Sequence, residues 1–99
     1  MEYNKLVRDK IPEILDKKNL FYEKKIASNE EYKKELVKKL LEEANEFFET
    51  PTGEELGDVI EVIMALKKLP EYLNVEEIRK KKRNARGGFE QRIILKGEK

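Results

Sequence analysis

Glu42, Glu43, Glu46, Glu55 and Asp58 form an EExxE group and an ExxD group on either side of a break, Thr50-Pro51-Thr52-Gly53. Carboxylates at i and i+3 project from one side of a helix. Two such pairs on facing helices therefore converge on one point, as carboxylate metal sites in helical bundles do. Ionised groups crowded at a partly buried seam repel one another and lose hydration, so something cationic must compensate. Lys and Arg are one source of that charge. A hard divalent ion, Mg2+ or Mn2+, is the other, because such ions take oxygen ligands. The chain has no His and no Cys, which argues against a zinc site built from nitrogen and sulfur donors.

The elements that must position these groups can be laid on a wheel at about 100° per residue. Over Glu30 to Glu49, Leu36, Val37, Leu40, Leu41, Ala44, Phe47 and Phe48 form one apolar arc. Glu43 falls between Leu36 and Phe47, with Glu46 one step away, while Glu42 points further out as a solvated or supporting group. In the next segment Leu56, Val59, Ile60, Val62, Ile63, Leu66 and Leu69 make a broad apolar face. Glu55 lies between Val62 and Leu66, and Asp58 lies beside Leu69. Glu43, Glu46, Glu55 and Asp58 are thus the four candidate metal ligands. Glu55 has a structural alternative, since Thr52-Gly53-Glu54-Glu55 matches a capping box. A start at Thr50 with Pro51 in the first helical position would leave it free of that duty.

Along the chain, Met1 to Leu6 reads as extended and Arg8 to Lys18 as a short helix, with Pro12 in its first turn and Asn19 as its stop. Ser28 and Glu31 form a capping box for the first motif helix. The second motif helix runs from about Pro51 to Lys68, ended by Pro70. Asn74 caps a third helix, Val75 to about Asn84, which stops before Gly87-Gly88. Two segments with β-branched and aromatic residues, Leu20 to Ala27 and Phe89 to Lys96, read as strands. A lone strand leaves its backbone unpaired, so Tyr22 to Ala27 is expected to pair with Gln91 to Leu95 as an antiparallel ribbon. The fold class is mainly α, a helical bundle carrying this small ribbon.

The 99 residues make one domain, of which 38% is apolar and 43% charged. So short a chain buries only a modest core, and its two broad helical faces exceed what one copy can cover. A homodimer is the simplest expectation, with a tetramer the next. The net charge of +1 supplies no global field for nucleic acid or membrane. No apolar run is long enough to span a bilayer and the N-terminus has no signal-peptide pattern. Without cysteine there is no disulfide framework, and a cytoplasmic protein is expected.

KLLEEANEF (39–47) and EELGDVIEVIMAL (54–66) together resemble the signature of the MazG-like nucleotide pyrophosphohydrolases. YNKLVRDKIPEIL (3–15) and RNARGGFEQRIIL (83–95) resemble the two ends of a small stand-alone subgroup, the phosphoribosyl-ATP pyrophosphohydrolase-like proteins. The resemblance implies an all-α fold with Mg2+ held at Glu43, Glu46, Glu55 and Asp58. It also implies cleavage of a nucleoside triphosphate to monophosphate and pyrophosphate, as in the removal of non-standard nucleotides. One of the ligands, Glu43 among them, or Glu42 would orient the water or accept its proton. Two departures bear on the substrate. Only eight residues, Phe47 to Glu54, span the region between the motifs, where many members carry a longer insertion that shapes the base pocket. The absence of His argues against the histidine-biosynthetic substrate, phosphoribosyl-ATP, which stays as an alternative.

A polyphosphate also needs positive side chains. Asn4, Lys5 and Arg8 at one end and Arg83 and Arg86 at the other are the candidate substrate-binding residues, the two arginines as a clamp one helical turn apart. The plain reading of the basic run 79–86 is a solvated helix C-terminus. A nucleic-acid-binding module using Arg79 to Arg86 is the alternative of another class. Phe47, Phe48, Tyr72 and Phe89 are aromatic enough to stack on a base, although Phe47 and Phe48 are expected in the core.

Overall fold

The computed structural model describes residues 4–98. Its frame is a pair of helices, α2 (Asn29–Glu49) and α3 (Gly53–Lys67), packed against each other. A shorter α1 (Ile11–Lys17) precedes them. A 3-10 turn (Pro70–Tyr72) and α4 (Val75–Arg86) follow. The mainly α class is as expected from the sequence. Of the extended N-terminal segment, Met1, Glu2 and Tyr3 lie outside the described residues.

Local chemistry explains most boundaries. Ser28 Oγ accepts from the Glu31 amide at 3.2 Å while Glu31 Oε1 accepts from the Ser28 amide at 3.3 Å. This is the reciprocal capping box, and it starts the longest helix of the fold. Ser28→Ala is expected to cost about 1 kcal/mol, seen as a thermal midpoint about 4–8 °C lower in circular dichroism. At α3 the choice between the two starts is resolved in favour of Thr52, whose hydroxyl accepts from the Glu55 amide at 3.3 Å. The Thr52 amide bonds instead to the Thr50 carbonyl at 2.8 Å. Only the Glu55 backbone serves the cap, and its carboxylate is left for other work.

Helix α1 is shorter than expected. It begins at Ile11 because Pro12 must sit in the first turn, so Arg8 lies ahead of it. Asn19 adopts φ 55° and the Leu20 amide returns to the Leu15 carbonyl at 3.0 Å, closing the helix where a stop was expected. Helix α4 continues past Asn84 to Arg86, and Gly87 at φ 80° ends it. Asn74 precedes α4 without a side-chain cap bond.

The antiparallel ribbon does not form. No strand occurs among the described residues, and no backbone hydrogen bond joins Tyr22–Ala27 to Gln91–Leu95. Tyr22 instead donates to Asp16 Oδ1 at 2.7 Å, and Lys25 pairs with Glu31 at 2.7 Å. These ties hold the first segment to the helices on either side of it. Its apolar residues also fail to alternate, which leaves Phe21 and Ile26 exposed along with Ile93, Ile94 and Leu95.

Burial in one copy is thin. Leu36 and Val62 are the buried apolar residues among those described, at the centre of the α2–α3 contact. Leu40, Phe47, Val59 and Leu66 are half-buried around them. The other half of each apolar face is bare. Val37, Leu41, Ala44 and Phe48 form one exposed stripe on α2, and Leu56, Ile60 and Ile63 form one on α3. Phe48, expected in the core, is 83% exposed. The reason is geometric, since a single partner helix covers less than the full width of either arc. The accessible surface is 9772 Å², against roughly 5,900 Å² for a compact protein of this mass. The radius of gyration is 17.8 Å, against about 13 Å for a compact domain of 100 residues.

Candidate metal centre

Glu43 comes from the middle of α2, Glu55 and Asp58 from the first two turns of α3. One carboxylate oxygen from each lies within 4.8 Å of the others. Helices α2 and α3 pack together with Leu36 and Val62 buried, and Glu43 sits two turns beyond Leu36 on the same side. It is only 7% exposed. Glu43 Oε2 and Glu55 Oε2 are buried and have no hydrogen-bond partner. A buried carboxylate oxygen without a donor is costly, and this cluster contains two. The donor set is all oxygen, so the residues fit a hard divalent ion such as Mg2+ or Mn2+.

The fourth expected ligand, Glu46, is placed differently. It is exposed and falls outside the group of three. It still lies next to Glu43 and is one cause of that residue's unusual acidity. Burial raises the Glu43 pKa above its ordinary 4.5, and the charge and hydrogen bonding of Glu46 raise it further. Glu46 is thus a neighbour of Glu43 outside the converging group.

Cations ring the site. Lys39 Nζ is 3.5 Å from Glu43 Oε1 and 3.7 Å from Glu42 Oε1, with its side chain 19% exposed. Reasoning from the sequence did not single out Lys39, although its spacing of i+3 and i+4 to two candidate glutamates was the available signal. It engages Oε1 of Glu43 and leaves Oε2 without a partner. Lys5 donates to Glu42 Oε1 at 3.1 Å, and with Lys39 it holds the Glu42 carboxyl below its ordinary pKa. Arg8 donates to Asp58 Oδ1 at 2.7 Å.

These groups open onto a cavity of about 490 Å³ whose walls include Leu6 to Lys10, Tyr32, Leu36, Lys39, Glu43, Asp58 and Val62. Arg8 is thereby brought to the carboxylates, and Lys5 reaches them through Glu42. Asn4 is exposed and does not line the cavity. Arg83 and Arg86 are not brought to it either. They line a second concavity with Gly87, Gly88 and Glu90, where Arg83 pairs with Glu90 Oε1 at 2.7 Å. A Cβ at Gly88 would collide with the Arg83 guanidinium. Of the aromatic candidates, Phe89 is 97% exposed, and the Tyr72 ring carries Lys33 Nζ at 5.3 Å from its centroid. No helix among the described residues is long and apolar enough to cross a membrane. Comparison with protein-family models, curated proteins and solved structures finds no match to this chain.

Proposed function

We propose that this protein is a Mg2+-dependent nucleotide pyrophosphohydrolase, releasing a nucleoside monophosphate and pyrophosphate from a nucleoside triphosphate. The observation that carries the reading is the convergence of one oxygen each from Glu43, Glu55 and Asp58 within 4.8 Å, where Glu43 and Glu55 each also have a buried oxygen, Oε2, with no hydrogen-bond partner. The resemblance of the two acidic motifs and of both chain ends to the MazG-like enzymes supplies the reaction. Glu43, Glu55 and Asp58 would hold the ion, with Glu46, the neighbour of Glu43, as the fourth candidate ligand. Mg2+ bound there would neutralise charge on the polyphosphate and acidify an attacking water.

The remaining residues divide the work by charge. Of the two catalytic candidates, Glu43 is the one among the converging carboxylates, and would be kept ionised by the ion it ligates. Glu42, held ionised by Lys5 and Lys39, serves to orient. Arg8 presents positive charge at the cavity for the phosphates, with Lys5 beside it at Glu42. Without a His, the chain fits a nucleoside triphosphate better than phosphoribosyl-ATP. Removal of non-standard nucleotides in the cytoplasm is the role such an activity would serve.

We further propose that the working form is a homodimer, because α2 and α3 each keep an exposed apolar stripe in a single copy. A nucleic-acid module built on Arg79 to Arg86 is less well supported. Arg79 is paired with Glu76, Arg83 with Glu90, and the net charge is +1. The discriminating test is Mg2+-dependent turnover of nucleoside triphosphates. Salt-sensitive binding to DNA or RNA with no turnover would favour the basic run instead.

A further inference from the structure

Arg8 is where the N-terminal segment meets one of the three converging carboxylates directly. Its guanidinium takes Oδ1 of Asp58 at 2.7 Å, across 50 positions of sequence. Asp58 is at the same time one of the three residues whose oxygens converge within 4.8 Å. Leu6, Val7 and Arg8 together form a wall of the cavity that Glu43 and Asp58 line. The ion pair is exposed on both sides, 58% at Arg8 and 41% at Asp58, and pairs of that kind are weakly held. Glu43 by contrast is buried, with Oε2 lacking a partner. A divalent ion drawn to the buried oxygens meets a guanidinium on the adjoining carboxylate, and the two positive charges repel at short range. The carboxylate attracts the doubly charged ion more strongly, so the guanidinium is the one that moves.

We propose that Arg8 is an exchangeable counter-ion of the cluster, displaced from Asp58 by a divalent cation and then presented to a phosphate group in the same cavity. This rests on the metal-dependent reading above and adds an order of events. The ion binds first, and its arrival frees the planar fork that recognises phosphate oxygens. Phosphate binding is coupled to metal binding through one side chain.

Three measurements on the full chain test it. In the wild type, the Arg8 Nε–H resonance, assigned by its loss in Arg8→Lys, is expected to shift when Mg2+ is added without any phosphate. By calorimetry, Arg8→Ala is expected to bind Mg2+ about threefold to tenfold more tightly than wild type, because a competing charge is gone. At saturating Mg2+, the same variant is expected to bind inorganic pyrophosphate about tenfold more weakly, with Arg8→Lys in between. An Arg8 resonance unmoved at saturating Mg2+ overturns the proposal even where Arg8→Ala does not fold. Equal or weaker Mg2+ binding by a folded Arg8→Ala also overturns it, making Arg8 a structural clasp and leaving the metal reading intact. Pyrophosphate binding unchanged in that variant overturns the hand-over. A wild-type chain that binds no Mg2+ overturns both this proposal and the functional reading beneath it.

Discussion

Glu43→Gln is expected to make the metal-free protein more stable while abolishing its response to Mg2+. The sign follows from the Glu43 pKa, which burial and Glu46 raise above the ordinary 4.5. An acid whose pKa is raised on folding contributes stability below its unfolded value and loses it as pH rises through the folded value. At neutral pH the native state therefore bears the cost of an ionised, buried carboxylate. An amide of the same shape removes that charge, so the metal-free variant is expected to melt above the wild type at neutral pH. The wild-type midpoint without metal should fall as pH climbs past 4.5, and the variant should show less of that fall. Mg2+ needs the ionised carboxylate and stabilises only the state that binds it. The wild-type midpoint should rise with Mg2+ and the variant's should not move, with turnover down by at least about 100-fold. A variant that is less stable than wild type and still shifts with Mg2+ would mean that Glu43 is a structural partner of Lys39.

Leu41→Glu and Ile60→Glu are expected to abolish association, and with it most of the fold's stability. Leu41 is 65% exposed and Ile60 49% exposed in a single copy, each in the middle of a bare stripe. A second copy covering both stripes would bury side chains worth about 1.5–3 kcal/mol each, and two-fold symmetry counts each twice. A single chain with Leu36 and Val62 as its buried apolar residues has little to fall back on. Sedimentation of the wild type at micromolar concentration should give a dimer or tetramer, with a midpoint that rises with concentration. The variants should sediment as monomers and melt early. A compact wild-type monomer at that concentration would remove the dimer.

The helical frame was legible in the sequence because capping and periodicity act locally. Ser28 with Glu31, Asn19 and Gly87 mark boundaries through bonds or φ angles that depend on a few neighbouring residues. The inward lean of Glu43, Glu55 and Asp58 was legible for the same reason, since a wheel needs only the helical period. Glu46 came out at the edge because a wheel gives direction and not depth, and α3 does not reach far enough around α2 to cover it. The ribbon failed because composition stood in for pairing. Tyr22 and Lys25 are engaged by Asp16 and Glu31, contacts no strand pattern encodes. The cations at the carboxylates were partly hidden as well. Lys39 was visible as an i+4 spacing, but the Arg8–Asp58 pair depends on how a non-helical segment crosses two helices.

The proposed reaction is defined by its products. A panel of nucleoside triphosphates incubated with the purified protein and Mg2+, followed by phosphorus NMR, should show monophosphate and pyrophosphate appearing together from at least one of them. EDTA should stop the reaction, and Glu43→Gln should lack it. Release of diphosphate and orthophosphate, or no turnover of any triphosphate, would contradict the account.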